Sequence, residues 1–149
     1  MHTLERTQVL PVAPGEAFDF FADAFNLEVI TPPWLRFRVV TRGPIAMKAG
    51  TLIEYRLRLH GLPIRWLTRI EVWAPGRRFE DRQLRGPYGA WYHSHAFAAH
   101  DGGTSMRDVV RYTIPLGPLG RLAHRGLVRR DLERIFDFRR DAVAARFAR

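Results

Sequence analysis

The stretch TLIEYRLRLHGLPIRWLTRIEVW, residues 51–73, decides the fold. Ile53, Tyr55, Leu57 and Leu59 alternate with Glu54, Arg56, Arg58 and His60. After Gly61 the alternation resumes, with Leu62, Ile64, Trp66, Thr68, Ile70 and Val72 set against Arg65, Arg69 and Glu71. A period of two marks a strand with one face on a core and the other in water. A glycine between two such runs marks a tight reversal. The stretch therefore predicts an antiparallel hairpin with one apolar and one basic face.

The pattern continues in both directions. From Trp34 onward, Leu35, Phe37 and Val39 alternate with Arg36, Arg38 and Val40. Pro75-Gly76 turns the chain into a strand around Phe79 to Leu84, Gly86-Pro87-Tyr88-Gly89 leads into Trp91 to Ala99, and Asp101-Gly102-Gly103 leads into Met106 to Ile114. With Thr3 to Val12 as the first strand, the count is about seven, the last six forming an antiparallel meander. Pro14 opens a short helix carrying Ala17, Phe18, Phe21, Ala22 and Phe25 at helical spacing. Asn26 to Ile30 adds a second short helical turn, which Thr31-Pro32-Pro33 must break, because a residue before proline avoids the helical region. Pro115 to Gly120 ends the sheet, and Val128, Leu132, Ile135, Phe136, Val143 and Phe147 then mark a long amphipathic C-terminal helix. The class is α+β, a curved sheet wrapped around a helix, an arrangement that readily encloses a cavity.

Composition narrows the function. A chain of 149 residues, 46% hydrophobic and 26% charged, suits a single folded domain spanning residues 1–149. It has no cysteine, which excludes disulfides, zinc–thiolate sites and thiol nucleophiles. The polar start and the absence of a long apolar run predict neither a signal peptide nor a membrane span, so a cytoplasmic protein without integral membrane association is expected. The formal charge is +9, yet Lys48 is the only lysine. Selection for phosphate contact would be expected to retain some lysine, so the excess reads first as a solvated surface rather than a nucleic-acid site.

Strand parity then sorts the chemistry. Tyr55, Leu57, Trp66 and Thr68 share the concave face, Trp91 and Phe97 bring His93 and His95 with them, and Val110 and Tyr112 bring Asp108. Phe79 likewise implies Asp81 and Gln83. On the last helix Arg139 lies between Ile135 and Val143 in the apolar stripe, so it needs a buried partner. One reading makes Arg139 an ion pair with Asp81 or Asp108 that locks helix to sheet. The other makes the same groups the polar end of a ligand pocket, with Trp66, Trp91, Phe97 and Tyr112 holding the apolar part. His93 and His95 with Asp81 or Asp108 have donor types that suit a metal, but without cysteine or a further close histidine no metal or other cofactor is expected. A histidine beside an aspartate also suits general acid–base chemistry, making His93, His95, Asp81 and Asp108 the catalytic candidates. No nucleophile elbow, phosphate loop or dinucleotide fingerprint is present. Trp34, after two prolines, is expected either to gate the cavity or to cap the core, and Tyr88 either to close over a ligand or to be exposed.

The order of elements resembles the helix-grip fold of the START-like superfamily, also called SRPBCC, which includes polyketide cyclases, aromatase-like domains, lipid-transfer domains and pollen-allergen-like carriers. The resemblance covers nearly the whole chain. Its local carriers are Asn26-Leu27 with Thr31-Pro32-Pro33-Trp34, Phe79-Glu80-Asp81 with Gly86-Pro87-Tyr88, the strand Trp91 to Phe97, and Pro115 to Gly120 followed by Ile135 to Arg140. Together they look like a bacterial ligand-binding branch. The resemblance implies binding of a hydrophobic or amphipathic small molecule or lipid between sheet and helix, by a carrier or sensor. The alternative it leaves is a cyclase, dehydratase or hydrolase using the inner-face histidines and aspartates. No specific nucleic-acid partner is expected, and the chain is expected to be a monomer or a homodimer, with the edge strand after Trp34 available to a second copy. Arg36, Arg38, Arg42, Arg56, Arg58, Arg65, Arg69, Arg78, Arg82, Arg107 and Arg111 are expected on the convex face, balanced only by Glu54, Glu71 and Glu80.

Overall fold

The alternating runs pair as their spacing requires. The computed structural model describes residues 1–148. In it β1 (His2–Leu10), β2 (Arg38–Val39), β3 (Leu52–Leu59), β4 (Leu62–Ala74), β5 (Arg78–Arg85), β6 (Ala90–His100) and β7 (Gly103–Thr113) form one sheet of 7 strands ordered β1-β7-β6-β5-β4-β3-β2. Every neighbouring pair is antiparallel. β2 to β7 is the expected meander, and β1 closes the far side against β7, leaving β1 and β2 as the edges. The β3–β4 and β6–β7 reversals have positive φ at both central residues, His60 50° with Gly61 80° and Asp101 44° with Gly102 79°. That is the turn geometry whose twist matches the flanking strands.

α1 (Pro14–Ala22) starts on Pro14 as expected and buries Ala17, Phe18, Phe20 and Phe21. A tight 3-10 turn at Ala24–Asn26 follows, begun by the Phe25 amide donating to Asp23 Oδ1 at 3.0 Å. This turn changes which side chain beyond α1 faces inward: Ala24 is buried, while Phe25 is 36% exposed; Phe20, within α1, is buried against Phe21 and Phe147. α2 (Leu27–Ile30) is the second short helix. The C-terminal helical course consists of α3 (Gly117–Ala123), a π-turn at His124–Val128, and α4 (Arg129–Arg146). α4 lies across the concave face and buries Leu132, Phe136 and Val143. Among the described residues no helix is long and apolar enough to cross a membrane.

Three local expectations are corrected. The run from Trp34 is not a strand at its start: Pro33–Leu35 makes a 3-10 turn ended by Arg36 at φ 47°, and only Arg38–Val39 pairs with β3. Proline at the first turn favours the tight helix over extension, so Arg36 and Arg42 lie off the sheet. The C-terminal helix begins earlier than expected, because Pro118 occupies its first turn, where a missing amide costs nothing. Strand parity also breaks within β4: Ile70 faces Asp81 and Val72 faces Glu80, so Glu71 is an extra residue. This β-bulge turns Trp73 rather than Val72 inward, against Phe18 at 5.1 Å and Phe79 at 5.5 Å between ring centroids.

Candidate ligand cavity

Between the sheet and α4 lies a cavity of about 160 Å³. Ile53, Tyr55, Leu57, Trp66, Thr68, Ile70, Phe79 and Trp91 line it from the sheet, Leu27, Ile30 and Thr31 from α2 and the turn after it, and Leu132, Ile135 and Phe136 from α4. A dry apolar cavity of roughly 150 Å³ holds a benzene-sized molecule, so the space suits one aromatic ring without rearrangement. Trp66 and Trp91 meet edge to face at 5.2 Å, and Tyr88 stacks obliquely on Trp91 at 4.7 Å. Tyr88 reaches this wall because Gln83 clasps its turn: the Gln83 side-chain amide donates to the Tyr88 carbonyl at 2.9 Å and accepts from the Tyr88 amide at 3.1 Å. Burial holds the Tyr88 hydroxyl protonated, with Tyr112 and Asp131 adding to the effect. Burial first, then the nearby Asp81, does the same for Tyr55.

The polar end is a product of strand register. Asp81 stands opposite His93 across β5–β6, and His95 opposite Asp108 across β6–β7, with both histidines on one face because they alternate. Asp108 Oδ1 accepts from His93 Nε2 at 2.9 Å, His95 Nδ1 at 3.0 Å and Arg139 Nη2 at 3.3 Å. The other His95 nitrogen, Nε2, donates to Asp81 Oδ2 at 2.9 Å. The two imidazoles stack at 3.7 Å, and His95 stacks on Phe79 at 4.1 Å. Arg139 Nη2 also lies 3.4 Å from His95 Nδ1. Both groups carry hydrogens toward Asp108, so we read that approach as convergence on one carboxylate.

Protonation follows from these contacts. Burial opposes charge on His95, but carboxylates on both ring nitrogens outweigh it and raise its pKa above 6.5. His93 has one carboxylate partner and a cationic neighbour; burial and His95 bring it down to about 4, so it is neutral. Asp108 is also penalised by burial, yet Arg139 and the two histidines hold it well below 3.8. With His95 charged, Asp81 and Asp108 are balanced by His95 and Arg139. Among the described residues, one buried side-chain polar atom has no partner, the Nε of Arg139.

The structure brings Tyr55, Trp66, Thr68, Asp81, Trp91, His93, His95 and Arg139 to the cavity wall. It does not bring Trp34, Phe97, Asp108 or Tyr112 there. Phe97 packs beneath α1 against Phe18 and Phe21. Asp108 sits behind the two histidines. The Tyr112 hydroxyl turns away to His124 Nε2 at 2.8 Å. Trp34 is 50% exposed, with its ring edge on Phe138 and Arg134 stacked over it, so it neither caps the core nor touches the cavity. Leu27, Ile30, Thr31 and Met47 join the wall from short helices and a loop, where no periodicity pointed to them.

Asp81, His93 and His95 offer donor atoms within 4.8 Å of one another. They do not fit a metal ion: both nitrogens of His95 are committed to carboxylates, its pKa is raised toward the cationic form, and the Arg139 guanidinium lies beside it. A divalent ion would have to displace these bonds against two positive charges.

A curved sheet gripping a helix around an apolar cavity with a polar end defines the class of helix-grip ligand-cavity proteins. Residues 10–138 match the family described as polyketide cyclase / dehydrase and lipid transport, and the chain belongs to it. Similar solved structures include the Zhui aromatase/cyclase from Streptomyces sp. R1128, 18% identical, covering 97% of this chain and 92% of that one with a TM-score of 0.76. The protein CV1439 from Chromobacterium violaceum is 14% identical over 99% and 97% of the two chains, TM-score 0.76. The major latex-like protein 151 from Panax ginseng is 10% identical over 99% and 98%, TM-score 0.68. At these identities the likeness is one of fold. No curated protein matches the sequence.

Proposed function

We propose that the protein is a carrier or sensor for a hydrophobic small molecule that carries an aromatic ring and a neutral polar group. The observation that carries this reading is the apolar cavity ending on a charge-balanced cluster whose Arg139 lines the wall. A carboxylate or phosphate ligand would add an anion where Asp81 and Asp108 are already matched. A hydroxyl or carbonyl would instead accept from Arg139 at no such cost. Calorimetric titration with para-ethylphenol and para-ethylbenzoate near neutral pH tests it. The phenol should bind at least about tenfold more tightly, a difference of roughly 1.4 kcal/mol. Equal affinities, or preference for the benzoate, would contradict the neutral-ligand reading.

One observation favours catalysis as a second reading. His93 is neutral, lines the cavity, and is oriented by its Nε2–H on Asp108, the arrangement of a general base held by a carboxylate. His93→Gln separates the two. A carrier keeps its ligand affinity within a small factor, whereas a cyclase, dehydratase or hydrolase loses turnover of its bound ligand.

A further inference from the structure

The start of the C-terminal helical course is apolar on its water side. Leu116, Leu119, Leu122 and Leu127 are 76%, 70%, 69% and 45% exposed. These leucines do not belong to a frayed end, because the opposite side of the helix is anchored at every fourth residue. Gly120 is buried against Ile114 and Pro115, His124 stacks on His2 at 3.6 Å between ring centroids, and Val128 packs into the cluster around Trp91 and Leu132. No acidic residue occurs between Asp108 and Asp131, while Arg121, Arg125, Arg129 and Arg130 fall in the same course. The β3–β4 hairpin joins this end through His60 Nε2 and Asp131 Oδ2 at 2.6 Å, and it contributes Leu62, 66% exposed.

We propose that this end of the molecule docks on an anionic lipid bilayer, with the leucines among the acyl chains and Arg121 and Arg125 at the phosphates. Exposed leucines flanked by arginines on a helix anchored along its opposite side are the makings of an interfacial anchor. A contiguous apolar patch of this kind marks an interaction surface. The chemistry favours lipid over a protein partner. Specific protein sites centre on tyrosine, tryptophan and arginine anchors, with leucine under-represented, and this patch presents leucine without an aromatic residue. A fluid bilayer needs only apolar side chains to sink and cations to remain at the headgroups. The cavity lining reaches the same end at Leu59 and Ile135, both half-buried. A docked molecule therefore holds its cavity beside a reservoir of apolar ligand, although docking itself does not depend on the ligand reading.

Co-sedimentation of the full chain with phosphatidylcholine vesicles, with and without about 30% phosphatidylglycerol, tests the proposal. The protein should sediment with the anionic vesicles, at an affinity that falls with added salt. Replacing Leu119→Ser and Leu122→Ser together should weaken that binding by about tenfold or more, with the melting temperature unchanged because both side chains are exposed. Arg121→Gln with Arg125→Gln should also weaken it and flatten the salt response. Failure to sediment with anionic vesicles would overturn the proposal, and so would sedimentation that survives the leucine substitutions. A leucine-dependent complex with an acidic protein, in place of vesicle binding, would overturn it as well. The leucine variant keeps its affinity for para-ethylphenol in solution, so failure of docking and failure of the ligand reading give different results.

Discussion

Asp108 holds three cationic or donor groups on a single oxygen, and its burial makes each contact matter. Removing its charge leaves Arg139 and His95 buried without their shared counter-ion, which costs about 3–5 kcal/mol when a buried pair loses one partner. Asp108→Asn should lower the free energy of unfolding by that order in urea titration; a loss below about 1 kcal/mol would contradict the hub assignment. The two histidines give stability opposite dependences on pH. His93 is depressed from 6.5 to about 4, so the unfolded chain binds its proton first, and stability falls as pH drops from about 6.5 toward 4. The shift corresponds to on the order of 3 kcal/mol. Asp108, held well below 3.8, adds a further loss in more acidic solution. His95 is raised, so its contribution is present below 6.5 and is lost as pH rises through its folded-state value. Thermal melts across pH should therefore trace a maximum near 6.5, with losses on both sides. His93→Gln should flatten the acid side and His95→Gln the alkaline side, and the reverse pattern would exchange the two protonation states.

At the scale of elements, the bulge in β4 makes a testable distinction between neighbours. Trp73→Ala should destabilise by about 3 kcal/mol, because the indole packs on Phe18 and Phe79. Val72→Ala should cost less than about 1 kcal/mol. Equal costs, or the opposite order, would mean that the alternation runs unbroken. The same bulge explains what the sequence could and could not disclose. Alternation gave the strands, the meander and the concave placement of Asp81, His93, His95 and Asp108, because each depends on parity over a few residues. It failed at Glu71, where an extra residue reverses parity without a glycine or proline to announce it. It failed again at Trp34, where two prolines made a helical turn in place of a strand. Periodicity reports which face a side chain takes, not how far it reaches, so Phe97, Asp108 and Tyr112 were rightly placed inside yet stop short of the cavity. Close backbone packing is similarly invisible. Gly120 looks like a loop residue, but a Cβ there would meet the Pro115 carbonyl oxygen and come within 3.1 Å of Ile114 Cγ2. Gly120→Ala should push α3 off the Ile114–Pro115 segment that precedes it and lower the melting temperature, whereas Gly126→Ala, with open space around it, should not.

Across the whole molecule the charge is divided by the sheet. Arg38, Arg56 and Arg65 stand directly opposite one another across β2, β3 and β4, all exposed. Arg85 joins this convex face through the irregularity near Leu84, while Arg36 and Arg42 leave it. Like charges directly opposite are destabilising by a few tenths to about 1 kcal/mol. Arg56→Glu should therefore raise stability by about that amount at low salt, an advantage that screening removes. No gain at low salt would mean that the row is already neutralised. The concave side carries the opposite design, with its charges buried, paired and balanced around an apolar space. The most direct test of that account is native mass spectrometry of the protein purified from its own host, followed by identification of whatever it retains. One bound molecule per chain is expected, apolar, ring-containing and uncharged, lost when Leu57→Trp fills the cavity. A bound molecule carrying a carboxylate or phosphate, or one retained equally by the filled-cavity variant, would contradict it.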